Sequence, residues 1–179
     1  MLFSYHTDNN KVKSETGLTQ NCLDNRAVME YLVCIMMFSR SAEYAVRAMV
    51  FLAEQPSGKL TGAREIADAQ QIPAPFLWKI LHNLARQRLI RSFKGVRGGY
   101  ELARPADKIA LEDIVDATDG SDIVSACILG LPECNEVNPC PLHNSWKEVR
   151  GHLTEMLEQT SLADLAEVAR RRKATRKTG

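Results

Sequence analysis

At 179 residues, 45% hydrophobic and 25% charged, the chain is long enough for one domain with appendages and can bury a core while staying soluble. No stretch approaches the ~18 uninterrupted apolar residues of a membrane-spanning helix, the few aromatics and the lack of alternating apolar runs argue against a β-sandwich, and ten glycines and seven prolines are too few for a disordered or collagen-like chain. The net charge of +1 conceals a division along the chain: −1 over residues 1–35, +6 over 36–104, −9 over 105–166 and +5 over 167–179. A basic block of domain size is the footprint of a polyanion partner, or else ordinary surface charge; charge alone does not decide.

Residues 1–35 differ from the rest of the chain. Residues 8–19 are polar without a sustained period, 23–36 are weakly helical, and Met36 and Met37 stand directly before a strong helical pattern. Residues 1–35 are therefore expected to be a poorly ordered extension ahead of a natural start at one of these methionines; a genuine arm is the alternative. Over 41–55, apolar residues recur at Ala42, Ala45, Val46, Met49, Val50, Leu52 and Ala53, one face of a helix that Pro56-Ser57-Gly58 stops. Thr61 is placed to cap a second helix containing residues 64–70, with Ile66 and Ala67 turned inward. Ile72-Pro73-Ala74 breaks the chain. Pro75 suits the first position of a third helix reaching about Arg88, whose buried side is Phe76 or Leu77 with Ile80, Leu81 and Leu84.

Two short helices joined by a tight turn, the second one basic, make a helix-turn-helix. Residues 89–93 then read as a strand, Lys94-Gly95-Val96-Arg97-Gly98-Gly99 as a glycine-rich turn and 100–102 as the returning strand. A helix-turn-helix followed by a glycine-tipped hairpin is a winged helix. The expected fold class is mainly α with a small β-wing, the winged helix-turn-helix occupying 36–120 with a further helix over 111–118. Residues 121–143 hold Pro132, Pro139 and Pro141 and are expected to form a loop. From Asn144 a single long helix, to about 168, carries Trp146, Val149, Leu153, Met156, Leu157 and Thr160 at alternating three- and four-residue spacing. That apolar seam is expected to pack on a second copy, making a homodimer, with packing on its own domain as the alternative. Residues 169–179 form a basic tail expected to fray.

A recognition helix enters the major groove by its N-terminal turns. Those turns offer Pro75, Phe76, Trp78, Lys79 and His82. Lys79 can reach phosphate or guanine, and His82 can donate to a base or phosphate, or simply be solvated. Trp78 is unusual for a base reader: it can stack on a sugar or a thymine methyl, but packing against the wing is the expected role. Arg40, ahead of the first helix, and Arg64, near the start of the second, are counted with the phosphate contacts. Lys94, Arg97 and Gly98 at the wing tip can lie along a minor groove or its phosphates.

Of five cysteines, Cys22 and Cys34 show no ligand spacing and read as free thiols. The others form Cys127-(six residues)-Cys134-(five residues)-Cys140-Pro141-Leu142-His143. Three thiols and an imidazole in a proline-rich loop do not lie on a periodic apolar face, as packing cysteines do, and disulfides are not expected in a chain without an export signal. A metal centre is the reading that remains. Zinc sites usually begin with ligand pairs two to four residues apart; wider gaps suit an iron–sulfur cluster, and spacing leaves both open. A thiol enzyme using Cys140 beside His143 lacks any further catalytic partner, so no enzyme is expected.

Taken together, the chain resembles the Rrf2 family of bacterial winged-helix regulators, which includes the iron–sulfur regulator IscR and the nitric-oxide sensor NsrR. The resemblance covers about 36–165. It rests on Phe38-Ser39-Arg40-Ser41-Ala42-Glu43-Tyr44-Ala45-Val46-Arg47-Ala48, on Ile66-Ala67 and Leu77-Trp78-Lys79-Ile80-Leu81, on Gly95-Val96-Arg97-Gly98-Gly99-Tyr100, and on the three cysteines with His143. It implies a cytoplasmic homodimeric transcription factor, most often a repressor, that binds double-stranded operator DNA with an affinity set by an iron–sulfur cluster on Cys127, Cys134 and Cys140. In IscR-like members a histidine after the third cysteine completes a 2Fe–2S site, which falls here on His143. In NsrR-like members a first-helix carboxylate of the other subunit completes a 4Fe–4S site, which falls on Glu43. His143 and 2Fe–2S are the expected pair. Two departures stand out: Trp78 occupies the position of a base-reading glutamate in IscR, and the first cysteine gap is six residues rather than five.

Overall fold

The computed structural model describes residues 38–95, 97–121 and 125–176. The expected N-terminal extension, residues 1–35, lies outside the described residues. Helix α1 (Arg40–Ala53) starts at Ser39, whose Oγ accepts from the N–H groups of Ser41 and Ala42 at 3.1 and 3.2 Å. Of the predicted face, Ala42, Ala45, Met49 and Leu52 are buried and Val46, Val50 and Ala53 half-buried; Ala48, not predicted, is buried with them.

Helix α2 (Ala63–Gln70) buries Ile66 and Ala67 and ends at Gln71, which takes the left-handed conformation at φ 52°. Its cap is Gly62, not Thr61. Thr61 is pulled away because its backbone pairs with Tyr100, N–H to carbonyl in both directions at 3.0 and 2.9 Å. This short bridge ties the start of the helix-turn-helix to the wing.

Helix α3 (Ala74–Arg86) carries Pro75 at its second position, one later than expected, and the N–H groups of Phe76 and Leu77 turn back to the Pro73 carbonyl. The register choice goes to Leu77, which is buried with Ile80, Leu81 and Leu84, while Phe76 stays exposed. Strands β1 (Ile90–Phe93) and β2 (Gly99–Leu102) pair antiparallel from Ile90–Leu102 to Phe93–Gly99. The tip closes by a Gly98 N–H to Gly95 carbonyl bond of 2.9 Å, with Gly95 at φ 109°. A 3-10 turn (Ala106–Lys108) leads to α4 (Leu111–Asp119), closed by Gly120.

The expected long helix is two helices: α5 (His143–Gln159) and α6 (Leu162–Arg176). The seam breaks at Thr160 because Ser161 forms an isolated antiparallel bridge with Ala110. The Leu111 N–H donates to the Thr160 carbonyl and the Leu162 N–H to the Ile109 carbonyl, each at 2.8 Å. The chain then restarts on a reciprocal cap. Asp164 N–H donates to Ser161 Oγ at 3.2 Å, and Ser161 N–H to Asp164 Oδ2 at 3.0 Å. The predicted frayed tail is therefore helical to Arg176, with Arg171 paired to Glu167 and Lys173 to Glu54.

The core gathers Met49, Leu52, Ile66, Leu77, Ile80, Leu81, Leu84, Leu89, Ile109, Ile114 and Leu162. Each such side chain contributes about 1.5–3 kcal/mol by leaving water. Trp146, Leu153 and Leu157 of the seam are buried within the chain, and α5 packs on α4. Val149 and Met156 are half-buried. The alternative of self-packing thus accounts for most of the seam.

Candidate functional site

Between Asp68 and Glu101 the chain has six basic residues and no acidic one. Helix α3, strand β1 and the wing tip lie in that stretch, so the face they form is mainly positive; the acid on β2, Glu101, pairs with Arg91 at 3.1 Å. Lys79 and His82 are exposed on α3, with Phe76 and Trp78 at 57% and 59% exposure. Packing of Trp78 against the wing, the role expected from sequence, does not occur; its register on α3 turns it outward beside buried Leu77. Pro75, Arg64, Lys94 and Arg97 are exposed as well. Arg40 is exposed but paired to Glu43 at 2.9 Å.

Gly98 and Gly99 serve the wing's construction. A Cβ on Gly98 would lie 2.2 Å from the Phe93 carbonyl oxygen, and one on Gly99 would lie 2.8 Å from the Thr61 carbonyl oxygen. Glycine is what lets the tip close and the bridge to Thr61 form.

The cysteine loop is fixed from α5. Residues 143, 146, 147 and 150 repeat at i, i+3, i+4 and i+7, one helical face. His143 faces Cys134, its Nδ1 3.2 Å from that Sγ. Trp146 donates its indole N–H to the Ala126 carbonyl at 2.9 Å, and Arg150 donates to the Ser125 carbonyl at 2.9 Å. Lys147 Nζ holds Glu136 Oε1 at 2.6 Å, and that oxygen lies 3.6 Å from His143 Nε2. Sequence reasoning assigns this helix to a dimer seam and so misses Glu136, Lys147 and Arg150. The three- and four-residue repeat of polar and aromatic groups is the signal that could have found the two on α5.

Cys127, Cys134 and Cys140 are unpaired thiols whose sulfurs lie within 4.8 Å of one another, with Cys127 Sγ and Cys140 Sγ 3.8 Å apart. The N–H groups of Leu131 and Leu129 hold the Cys127 thiol below its ordinary value. Cys134 moves the other way. The Cys140 N–H favours its thiolate, but lost solvent and the Cys140 and Cys127 thiols outweigh that and push it up. A hydrogen bond from Lys147, with its charge, and His143 hold the Glu136 carboxyl below the usual range.

These residues fit a metal–thiolate centre. The donors are soft, they converge, and no disulfide consumes them. Among the described residues, His143 Nε2 is a buried nitrogen without a hydrogen-bond partner, and the Glu136 carboxylate lies 3.6 Å from it. A ligating histidine commonly offers its second nitrogen to such a carboxylate. Glu43 lies on α1, held by Arg40 at 2.9 Å and Arg47 at 3.4 Å.

A family model described as "Rrf2: Iron-dependent Transcriptional regulator" matches residues 38–168. The chain belongs to the Rrf2 family. It is thus a transcriptional regulator and not an enzyme. This Rrf2 protein is 43% identical over 132 residues to a helix-turn-helix-type transcriptional regulator of Mycobacterium tuberculosis, covering 73% of this chain and 81% of that one. Among solved structures it resembles CymR, the global cysteine regulator of B. subtilis, at TM-score 0.63 and 25% identity, over 73% of this chain and 96% of that chain. It also resembles IscR of T. potens at TM-score 0.59 and 28% identity, over 73% and 86%. These likenesses agree with the winged-helix fold.

Proposed function

We propose that this Rrf2 regulator binds double-stranded operator DNA as a homodimer, and that its affinity is set by an iron–sulfur cluster held by Cys127, Cys134, Cys140 and His143. The observation that carries the reading is the convergence of three free thiols within 4.8 Å, joined by His143 Nδ1 at 3.2 Å from Cys134, in the loop between the winged helix and α5. The family's description as iron-dependent and the likeness to IscR support iron. Such a cluster supplies a centre sensitive to oxidation, nitrosylation and iron supply.

His143 is the favoured fourth ligand. Glu43 is already neutralised by two arginines, and an imidazole on iron belongs with a 2Fe–2S site. Glu43 from a second copy with a 4Fe–4S site is the alternative. The chain's own part is to hold the loop. With its four ligands engaged, the segment 127–143 would be pinned at both ends and through its middle; with them free, α5 holds it by the Lys147–Glu136 pair and, just ahead of it, by Trp146 on Ala126 and Arg150 on Ser125. The apolar side chains Ile128, Leu129, Leu131 and Leu142 are exposed along that loop and suit cover by a second copy. Two recognition helices of a dimer read half-sites about 34 Å apart, so a small change at the loop alters their spacing. Repression in the cytoplasm is the corresponding cellular role.

A second reading has one specific observation in its favour. A single tetrahedral ion with metal–sulfur bonds of about 2.3 Å sets its sulfurs about 3.8 Å apart, which matches Cys127 and Cys140. A zinc-stabilised winged helix would be colourless with one zinc per chain. Anaerobic purification followed by absorption spectroscopy and iron, sulfide and zinc analysis separates the two. The cluster reading expects a coloured protein with equal iron and acid-labile sulfide, both lost in Cys134→Ala. Zinc alone, or colour retained in Cys134→Ala, overturns it. Protein that carries no metal and forms a disulfide with peroxide would instead make it a thiol-only regulator.

A further inference from the structure

Successive residues of an α-helix are about 100° apart, so Phe76 and Trp78 flank buried Leu77 on its two sides. Lys79 and His82 point away from the core between them. The exposed arc of α3 thus has a polar centre and two aromatic edges, each ring more than half exposed. Large apolar side chains left in water at this density mark a surface that is covered in use. The charge around it says by what: six cations and no acid between Asp68 and Glu101 favour a phosphate polymer over an acidic or neutral protein face.

In the major groove of B-DNA the donors and acceptors of the base edges need polar partners. The one apolar group displayed there is the C5-methyl of thymine. An indole has a single N–H donor and no acceptor, so it cannot make the paired contacts that arginine, asparagine or glutamine make to a base edge. Its remaining surface gains only by displacing water from another apolar group.

We infer that Trp78 is a specificity-determining residue that reads a thymine methyl in each operator half-site, with Phe76 closing the opposite edge of the helix against the groove wall. The inference rests on the proposed operator binding and adds to it a base preference. Its polar neighbours Lys79 and His82 hold register on phosphates and base edges, while Trp78 makes the discrimination at its own position.

The test uses a duplex recovered from a random double-stranded library by selection on the full-length protein. Each thymine is then replaced singly by deoxyuridine, which removes the methyl and leaves the hydrogen-bonding pattern unchanged. The expected result is one position per half-site at which the wild type loses about fourfold in affinity, the worth of one buried methyl. Trp78→Ala should bind the thymine duplex more weakly and show no thymine–uracil difference there. Trp78→Leu, still apolar, should keep part of it. Thermal melting of each variant confirms that the fold is intact, which exposure of the side chain predicts. A wild type that binds its selected duplex specifically yet is indifferent to every thymine methyl overturns the inference and leaves operator binding standing. Failure to select any sequence at all overturns both.

Discussion

The indole N–H of Trp146 donates to the carbonyl of Ala126 across 2.9 Å, one residue before Cys127. The dimension that matters to the cysteine loop is thus set by a buried side chain of α5. Replacing Trp146 by Phe keeps most of the packing and removes the bond. We expect a loss of about 0.5–1.5 kcal/mol in unfolding free energy, read by denaturant titration, together with faster loss of bound metal to a chelator. Unchanged metal release in a correctly folded variant would show that this tether does not hold the loop.

Gly99→Ala tests how the wing is attached. Its Cβ would meet the Thr61 carbonyl oxygen at 2.8 Å, which is backbone and cannot swing aside. The bridge between Thr61 and Tyr100 must open or the strand must shift. A drop of several degrees in Tm and a weaker grip on duplex DNA are expected together. Gly151→Ala on α5 is the control for a crowding effect: its Cβ meets nothing within 4 Å, and no drop in Tm is expected.

The Ser161–Asp164 cap is worth testing because it turns one expected helix into two. Ser161→Ala removes the hydroxyl that accepts from Asp164 N–H, and should cost about 1 kcal/mol. The pH dependence has a definite sign. The Ser161 hydroxyl and N–H hold the Asp164 carboxyl below its ordinary value. Its contribution is therefore present above the unfolded carboxylate pKa and fades as pH falls through the lower folded value. The gap between wild type and Ser161→Ala should narrow in strong acid, where the bond from the Ser161 hydroxyl to the carboxylate is lost, but should not close, because Ser161 Oγ still accepts from the Asp164 N–H; a constant gap at all pH values would remove the hydroxyl–carboxylate bond from the account.

The cations between Asp68 and Glu101 predict a steep salt response. If about three of the six in each subunit reach phosphate, about six contacts per dimer, affinity for duplex DNA falls by about a thousandfold between 50 and 200 mM salt. Lys79→Ala should reduce the slope of log affinity against log salt by about two units, one for each subunit of the dimer. A flat response in a sequence-specific binder would remove the phosphate contacts from the account.

Much of this architecture was legible in the residues. The helix face of α1, the core positions Ile80, Leu81 and Leu84, and the glycine-tipped hairpin each follow from local period or turn chemistry. What escaped was decided by partners distant in sequence. Thr61 looks like a helix cap, but Tyr100 claims its backbone. The seam from Trp146 to Thr160 looks continuous, yet pairing of 160–162 with 109–111 cuts it, and the S-x-x-D signature at Ser161 was the overlooked local sign. Phe76 and Leu77 are both apolar neighbours, and only the packing of α3 on the core sends one in and the other out. At the candidate site the cysteines and His143 were evident from spacing, and the repeat on α5 carried a sign of Lys147 and Arg150, whereas Glu136 became visible only once α5 brought Lys147 against it.

The most direct measurement is the affinity of one anaerobic preparation for its selected duplex before and after removal of its metal by chelation. If the loop at 127–143 governs binding, the two values differ by at least tenfold, about 1.4 kcal/mol, and restoration of iron and sulfide reverses the change. Equal affinities for the coloured and the metal-free protein would contradict the account.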